Sequence, residues 1–419
     1  MTPSKLIRRT LPVMAICQLF ACGPQAPNDK PLKVAINAGP EGEAIKKLVA
    51  QGYPAAKIEI VELPYQSLRE QLITVLNATQ PSFDVVMIDD PWFPQLAPKV
   101  RELREVPQSL INDIVPASLS LGRDPYPNGK LKGLPFVGNT QVLFYRRDIL
   151  ERLGNTTPPA SWGELASLAS SVERQSEARL GKKVYGYAIR GKSGAPVVTD
   201  FLPIYWSLGG KLTDDIGAPR KQAVDKAKLI EALAIYTRLQ QASPPGASNY
   251  DWSEMTQDFT NGRAVMELNW PAAIPIIDAG IQKNGGKSSD WAIALPPRGE
   301  GAVGTSMIGN WLLAVPVTSS RPKEAAHFMV WLLDNQGIVA TSGNPPTRIS
   351  VFAELAKTPG NEYFAVIRQA LEHSTARDRT PLWAQIEDAV SRGVSGYLSG
   401  TLNEQAAANL ITEDIGKLF

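Results

Sequence analysis

Histidine and cysteine are the scarcest reactive side chains in this sequence. Two histidines, His327 and His373, and two cysteines, Cys17 and Cys22, occur among its 419 residues. His327 lies within an amphipathic helical pattern, and the spacing of the two histidines indicates neither a metal cluster nor a Ser-His-Asp catalytic set. We therefore expect no metal, no other cofactor and no enzymatic activity. The paired carboxylates of a glycosidase stay open as an alternative, since their separation is a spatial property.

An excess of one charge sign is also missing. The chain has 43 lysines and arginines against 41 acidic residues, and three of those bases lie in residues 1–21, which hold no acid. Without that stretch the count is 40 bases against 41 acids, a formal net charge of −1. A near-neutral chain lacks the basic surface of a nucleic-acid-binding protein, so no nucleic-acid partner is expected.

The apolar run near the N-terminus is too short to cross a bilayer. The segment 11–21 is interrupted by a proline and a glutamine, whereas a membrane helix needs about 20 apolar residues. Basic residues precede the segment and Cys22 follows it in the sequence LFAC, which is typical of a bacterial export signal with a lipobox. We expect residues 1–21 to be a signal peptide, Cys22 to carry a lipid, and residues 22–31 to form a polar tether.

The expected processing fixes both the location and the source of stability of the mature protein. It would be exported and lipid-anchored at the cell envelope, at the cell membrane or in the periplasm. Cys17 would leave with the signal and Cys22 would be acylated, so no thiol would remain for a disulfide. Stability must then come from core burial, which about 390 residues can supply in two or three domains.

Short β-branched runs alternate with helical patterns after the tether. Strands are predicted at 32–38, 57–63 and 83–89, in runs typical of strands buried on both faces of a parallel sheet. Before the third run, apolar residues at positions 68, 72, 75 and 76 recur with helical spacing, and Ser67 is the expected N-cap. This order predicts an open α/β sheet with right-handed crossovers.

The rest of the chain continues the α/β pattern. Further strands are predicted at 184–190, 264–269, 291–296 and 310–316. Helices are predicted at 147–153, 162–175, 223–241 and 322–334, the last with a proline in its first turn. The last sixty residues are helical in pattern and contain no convincing strand.

Several motifs follow one another along almost the whole mature chain. They are FDVVMIDDPW at 83–92, GLPFVGNTQVLFYRRDIL at 133–150, TPPASWGEL at 157–165, YWSLGGKLTDD at 205–215, DFTNGRAVMELNW at 258–270, IGNWLLAVPV at 308–317, RPKEAAHFMVWLL at 321–333 and GNPPTR at 343–348. Each motif is weak alone, but the set in this order is specific. It resembles the family 1 extracellular solute-binding proteins of ABC importers, the group that includes maltose-binding protein.

The resemblance implies a two-lobed periplasmic-binding-protein fold of type II. Each lobe would be an open sheet flanked by helices, with the ligand in the cleft between the lobes. Three hinge crossings are expected, near 135–141, 292–297 and 342–346. The implied limits are 32–138 plus 297–343 for the N-terminal lobe and 139–296 plus 344–419 for the C-terminal lobe.

Aromatic side chains at strand ends and crossings suit a sugar site. An indole can stack on the apolar face of a pyranose, which contributes on the order of 1 kcal/mol per sugar face. Core packing or a surface anchor is the alternative for each, and it is favoured for Trp206 and Trp331, which lie in helical patterns. The candidates for stacking are Trp92, Trp270, Trp311 and Trp383.

Polar side chains must replace the water around sugar hydroxyls. The resemblance places six candidates on loops at the cleft, namely Glu41, Asp89, Asp90, Asn139, Asn310 and Arg348, with Asp200 as a weaker seventh. A family member can use a carboxylate at position 139, where this chain has an amide. A helix cap or a solvated loop residue is the alternative for each candidate, and the pattern does not decide between Asp89 and Asp90.

A literal G-x-G-x-x-G match lies at 299–304. A dinucleotide-binding fingerprint must open a helix, so that the pyrophosphate meets the helix N-terminus. Here the match leads into a predicted strand. We therefore interpret the segment as a flexible surface loop.

These observations favour a substrate-binding lipoprotein of an ABC importer. It would capture a carbohydrate, a disaccharide or a glycoside, by closing its lobes, and it would deliver the sugar to a permease as a monomer. The alternatives are a binding protein for another polar solute such as a polyol or a glycerophosphodiester, an envelope-tethered glycoside-processing enzyme, and a sensor domain that feeds a signalling partner.

Overall fold

The computed structural model describes residues 30–214, 221–299 and 306–419. The expected signal peptide, the lipidated Cys22, nearly all of the tether and residues 300–304 of the glycine-rich match lie outside the described residues. The described strands are β1 Leu32–Asn37, β2 Ile58–Leu63, β3 Val85–Asp89, β4 Arg123–Asp124, β5 Lys130–Leu131, β6 Leu134–Val137, β7 Val142–Arg146, β8 Met266–Asn269, β9 Trp291–Ala294, β10 Ser306–Met307, β11 Trp311–Ala314 and β12 Ser374–Thr375.

Helices surround these strands along the whole described chain. They are α1 Pro40–Ala50, α2 Tyr65–Asn77, α3 Phe93–Leu96, α4 Gln108–Asp113, α5 Pro116–Leu121, α6 Arg147–Arg152, α7 Trp162–Leu180, α8 Ala195–Ser207, α9 Lys226–Gln241, α10 Trp252–Thr260, α11 Ile274–Lys283, α12 Pro322–Asp334, α13 Gln336–Ala340, α14 Ile349–Leu355, α15 Tyr363–Glu372, α16 Trp383–Leu398 and α17 Glu404–Gly416. Within the described residues, no helix is both long enough and apolar enough to cross a membrane.

Two main sheets organise the molecule. The first has the order β2-β1-β3-β11-β6, in which β1 pairs in parallel with β2 and β3, and β11 runs antiparallel to β3 and β6. The second has the order β8-β7-β9 and is antiparallel throughout. The predicted strands at 32–38, 57–63 and 83–89 are confirmed as β1, β2 and β3. The expected burial on both faces is wrong for β2, which lies at the edge of the sheet and is mostly half-buried.

Two local predictions are wrong. Helix α2 begins at Tyr65 with Pro64 as its N-cap, and the hydroxyl of Ser67 donates to the carbonyl of Pro64 instead of capping the helix. The segment 184–190 forms no strand. Its hydrogen bonds to residues 263–266 of the same chain occur at Tyr185 and Ala188, which are three residues apart. In a parallel ladder they would recur every two residues.

Two hydrophobic cores support the sheets. The first core includes Val34 and Leu312 of the first sheet together with Phe144 and Ile293 of the second sheet. The second core includes Leu143 and Leu268 of the second sheet, packed against helices α8, α9 and α16. Helices α14 and α15 also pack in the first core, although the expected limits place them in the C-terminal lobe. The limits of the lobes therefore remain a prediction.

Three chain segments meet between the two sheets. Residues 138–141 join β6 to β7, residues 306–310 precede β11, and residues 373–382 lead from α15 to α16. They are joined by backbone hydrogen bonds from Gly309 to Asn139 (2.9 Å) and from Ile308 to Thr375 (3.0 Å). We call the segments 139–141, 306–309 and 374–375 the crossing ribbon.

Candidate functional site

A pair of buried carboxylates marks the carboxyl end of β3. Asp89 is the last residue of the strand, and Asp90 opens the short 3-10 turn that follows it. Two arginines from the segment between β12 and α16 neutralise them. Arg377 Nη2 donates to Asp89 Oδ1 at 3.2 Å and to Asp90 Oδ2 at 2.8 Å, and Arg379 Nη1 donates to Asp90 Oδ1 at 3.2 Å. Burial of these charges is tolerated because they are paired.

The two aspartates have different surroundings. Asp90 is fully buried, and each of its carboxylate oxygens accepts a hydrogen bond from an arginine. Arg379 also donates to the Asp90 carbonyl and to the Leu121 carbonyl, which fixes this corner of the fold. Asp89 Oδ2 accepts instead from the Tyr65 hydroxyl at 3.0 Å. Asp89 is therefore the carboxylate that adjoins the aromatic side chains of the site.

Burial raises the pKa of Asp89 to about 6, with Arg377 opposing the rise and Asp90 adding to it. The partly buried Glu387 of α16 faces the same group, and burial raises its pKa too, with Arg377 opposing. Asp89 and Asp90 are thus balanced by Arg377 and Arg379. A ligand need not bring a charge of its own to this group.

Three aromatic rings form one wall of the site. The ring centroids of Tyr65 and Trp92 are 5.3 Å apart, and those of Trp92 and Trp311 are 6.5 Å apart with the rings nearly perpendicular. Trp311 lies opposite Asp89 in the register of β11 with β3. Both indoles are buried, whereas Tyr65 is 38% exposed. Tyr65 therefore offers the most open ring surface of the three.

Buried amides and a glutamate lie beside this wall. Asn37 Nδ2 donates to Glu41 Oε2 at 3.0 Å, and Asn139 Nδ2 lies 3.4 Å from Glu41 Oε1. Burial raises the pKa of Glu41. The hydrogen bonds that its carboxylate accepts from its own backbone N–H and from Asn37 oppose the rise. Asn37 Oδ1, Asn139 Oδ1 and both polar atoms of the Asn310 side chain have no hydrogen-bond partner among the described residues. Such atoms suit a ligand rich in hydroxyls, because each hydroxyl both donates and accepts.

Trp270 reaches the same region from the second sheet. It follows the end of β8, and its indole lies over Gly309 in the crossing ribbon, next to Asn310. A Cβ at Gly309 would lie 2.6 Å from a ring carbon of Trp270. The absence of a side chain at position 309 is therefore what lets the indole lie against the ribbon.

Gly309→Ala is expected to lower the free energy of unfolding by about 1–3 kcal/mol, because the added methyl group overpacks against the Trp270 ring. Gly337→Ala is the matched control: it lies inside α13, and its nearest neighbour to a new Cβ is 3.7 Å away. That control should be neutral or stabilising. Thermal unfolding of both variants measures the difference, and equal effects would contradict the close contact.

Two of the predicted site residues lie elsewhere, and a third, Trp383, packs beside the site in contact with Glu387. Arg348 precedes α14 and donates to Asp113 at 2.8 Å and to Asp334 at 3.0 Å. Asp200 lies in α8, where its Oδ2 accepts from the Tyr236 hydroxyl, and burial raises its pKa to about 6. Trp383 begins α16 and is buried in the second core. Glu41, Asp89, Asp90, Trp92, Asn139, Asn310 and Trp311 are brought together, and Trp270 adjoins them.

The sequence reasoning missed Asn37, Tyr65, Arg377, Arg379 and Glu387. Tyr65 begins α2 directly after Pro64, close to the carboxyl end of a predicted strand, and that position is the one sequence signal for it. The arginines lie in the polar stretch ARDRT, which carries no local sign of its distant partners. In the part of the chain that the structure describes, no three histidine, cysteine, aspartate or glutamate side chains are grouped to hold a metal ion.

The chain is similar in sequence to known proteins. The profile of the family described as "Bacterial extracellular solute-binding protein" matches residues 38–338. A "Probable ABC transporter-binding protein" of Deinococcus radiodurans is 27% identical over 354 residues, which cover 82% of this chain and 82% of that protein.

Solved structures show the same fold. An ABC transporter solute-binding protein from Agrobacterium radiobacter in complex with ribitol has a TM-score of 0.80 at 24% identity, over 93% of this chain and 100% of that chain. Maltose-bound MalE3 of T. maritima has a TM-score of 0.79 at 24% identity, with 93% and 100% covered. The predicted α/β fold with two lobes is confirmed by these likenesses.

Proposed function

Because this chain belongs to the family of bacterial extracellular solute-binding proteins, we propose that it captures an uncharged carbohydrate for an ABC importer. The observation that carries the proposal is the charge-compensated site at the end of β3. Asp89 and Asp90 are paired with Arg377, and unpartnered amide atoms of Asn37, Asn139 and Asn310 lie nearby. A sugar or polyol supplies hydroxyls to such groups without adding a net charge.

Ligand capture would proceed by closure of the lobes. The site draws on residues of the first sheet, on Trp270 after the second sheet, and on Arg377 before α16. A ligand drives closure only through its higher affinity for the closed state, so contacts from both sides of the cleft are required. The closed form would then deliver the ligand to the permease, and the protein would act as a monomer without catalysing a reaction.

A polyol is the second candidate ligand. The neighbour from Agrobacterium radiobacter is described in complex with ribitol, and the T. maritima neighbour with maltose. The two ligands differ in ring content. A stacked pyranose needs an open ring surface such as that of Tyr65, whereas a linear polyol depends mainly on the polar groups.

Isothermal titration of the mature chain with maltose, ribitol and L-glutamate tests the proposal. We expect micromolar binding of maltose or ribitol, which corresponds to about −8 kcal/mol, and no binding of L-glutamate. Chromatography of the maltose sample after hours of incubation should show no products. Binding of L-glutamate alone would contradict the uncharged-ligand proposal, and hydrolysis that tracks protein concentration would favour the glycoside-processing enzyme.

We also propose that the protein is an exported lipoprotein anchored through Cys22. The motif LFAC and the preceding basic and apolar residues support this. Cys22→Ala is expected to release the protein from the membrane fraction, because the acyl-bearing N-terminus would be its only anchor. Fractionation of cells that express each form measures this, and unchanged membrane association of the variant would refute the anchor.

A further inference from the structure

Two fully buried polar side chains lie on one face of strand β8. Met266 and Leu268 pack in the second core, so the alternate residues Glu267 and Asn269 point to the opposite face, toward α10. Glu267 Oε1 accepts a hydrogen bond from Asn269 Nδ2 at 2.6 Å. Glu267 Oε2 is buried and has no hydrogen-bond partner among the described residues. Burying a carboxyl oxygen without a hydrogen bond costs folding free energy, so this position calls for an explanation.

Asn269 connects this glutamate to two tryptophans. Its Oδ1 accepts from the backbone N–H of Trp270 at 2.7 Å and from Trp252 Nε1 at 2.9 Å, and its Nδ2 also donates to the Thr256 hydroxyl at 3.0 Å. The amide can satisfy all four contacts in one orientation only, with Nδ2 toward Glu267. Glu267 therefore helps to hold the oxygen of Asn269 against the start of the Trp270 turn.

We propose that Glu267 is a positioning residue that sets the place of the Trp270 indole through Asn269. The indole in turn lies over Gly309, beside Asn310 of the candidate site. We call the path from Glu267 through Asn269 to Trp270 the relay. It involves only residues of this chain, and its effect on ligand affinity rests on the proposed function. The hydrogen bond of Glu267 goes to Asn269, so we expect it to act through Asn269 and not on the ligand directly.

The electrostatic surroundings keep Glu267 uncharged at neutral pH. Burial raises the pKa of Glu267 to about 8, the bond from Asn269 opposes the rise, and Asp200 of α8 and Asp258 of α10 add to it. Tyr187, in the segment before α8, also faces the carboxyl group, and its hydroxyl accepts from the Leu268 N–H. An ionised Glu267 would be a third negative charge in this group, and the end of β8 would have to relax to hydrate it.

Fluorine NMR of the 5-fluorotryptophan-labelled mature chain tests the relay without any ligand. The chain has nine tryptophans, and the signals of Trp270, Trp252 and Trp331 are assigned by their loss in single Trp→Phe variants. In Glu267→Ala we expect the Trp270 and Trp252 signals to shift, while Trp331, packed against Tyr53 and Phe328, stays unchanged. In Glu267→Gln, which keeps the acceptor for Asn269, both signals should stay in place.

A pH titration separates positioning from mere packing. The Trp270 signal of the wild type should move with a midpoint near pH 8, and the Glu267→Gln variant should lose that step. Asp200→Asn removes one neighbouring negative charge and should lower the midpoint. A Trp270 signal that is unmoved by Glu267→Ala, or that still titrates near pH 8 in Glu267→Gln, would overturn the proposal. If Glu267→Ala does not fold, the titrations of the wild type and Glu267→Gln decide.

Binding of maltose and ribitol adds an independent readout. At pH 7 we expect Glu267→Gln to bind as the wild type does and Glu267→Ala to bind about tenfold more weakly, the size of effect expected for one misplaced ring contact. If neither sugar nor polyol binds the wild type, the proposed function fails while the NMR result still judges the relay. If both bind and the NMR signals do not respond, the relay alone is wrong.

Discussion

Arg377→Met is expected to lower the free energy of unfolding by about 3–5 kcal/mol at neutral pH, the usual cost of leaving a buried ion pair broken. Arg377 is buried and donates to both Asp89 and Asp90. Methionine fills much of the same volume but supplies no charge. The loss therefore reports the desolvation of the two carboxylates more than a change in packing. Urea-induced unfolding at pH 7 measures it.

Two further variants identify charge as the cause. Arg392→Met removes an exposed arginine that pairs with Asp388 and Asp414, and it should cost at most about 1 kcal/mol. Arg377→Met combined with Asp89→Asn should recover much of the loss, because Asp90 then keeps its bond from Arg379 while one buried negative charge is removed. If Arg377→Met costs no more than Arg392→Met, the buried-charge account is wrong.

Glu267→Gln is expected to stabilise the protein at neutral and alkaline pH. The pKa of Glu267 is raised from 4.5 to about 8 by burial, so between these values the folded state binds a proton that the unfolded state has released. The free energy of unfolding of the wild type therefore falls as the pH rises through this window. Glutamine cannot ionise, and the variant should gain about 3 kcal/mol relative to the wild type by pH 7.

Urea unfolding of both proteins at pH 4.5, 7 and 9 measures this difference. It should be close to zero at pH 4.5, about 3 kcal/mol at pH 7, and about 1 kcal/mol larger again at pH 9, because the pKa of the folded state lies between the last two values. Glu151→Gln, at an exposed position of α6, is the control and should leave the pH dependence unchanged. A difference between wild type and Glu267→Gln that is constant with pH would show that the buried carboxyl is not neutral in the folded state.

Strands β1 and β3 of the first sheet could be predicted because burial on both faces leaves continuous apolar runs. All five residues of β3 are buried, and its sequence is correspondingly VVMID. Helix α12 spans Pro322–Asp334 as predicted, since the fixed φ of proline suits the first helical position. The segment 184–190 has the same composition as a strand, but nothing local reveals that its contacts fall three residues apart.

The composition of the site could be predicted only in part. Asp89 ends a strand, Asp90 and Trp92 follow it, and that position is visible in the sequence. The arginine partners of the two aspartates lie 287 to 289 positions away, in a polar stretch that has no periodic pattern. Asp200 is a candidate from its place near a predicted helix and Trp383 from its place at a crossing, yet Asp200 accepts a hydrogen bond from Tyr236 among the helices of the second core and Trp383 packs in that core. Pairing across the fold is decided by topology, which local patterns do not contain.

The place of β11 constrains the order in which the chain can fold. This strand lies between β3 and β6, although it follows both by well over a hundred residues. Until residues 311–314 have emerged, β3 and β6 each keep an unpaired edge, and the first core lacks Leu312 and Leu313. Closing so long a loop is slow. We therefore expect the first sheet to stay incomplete until residue 314 has been made, whereas the three strands of the second sheet are complete by residue 294.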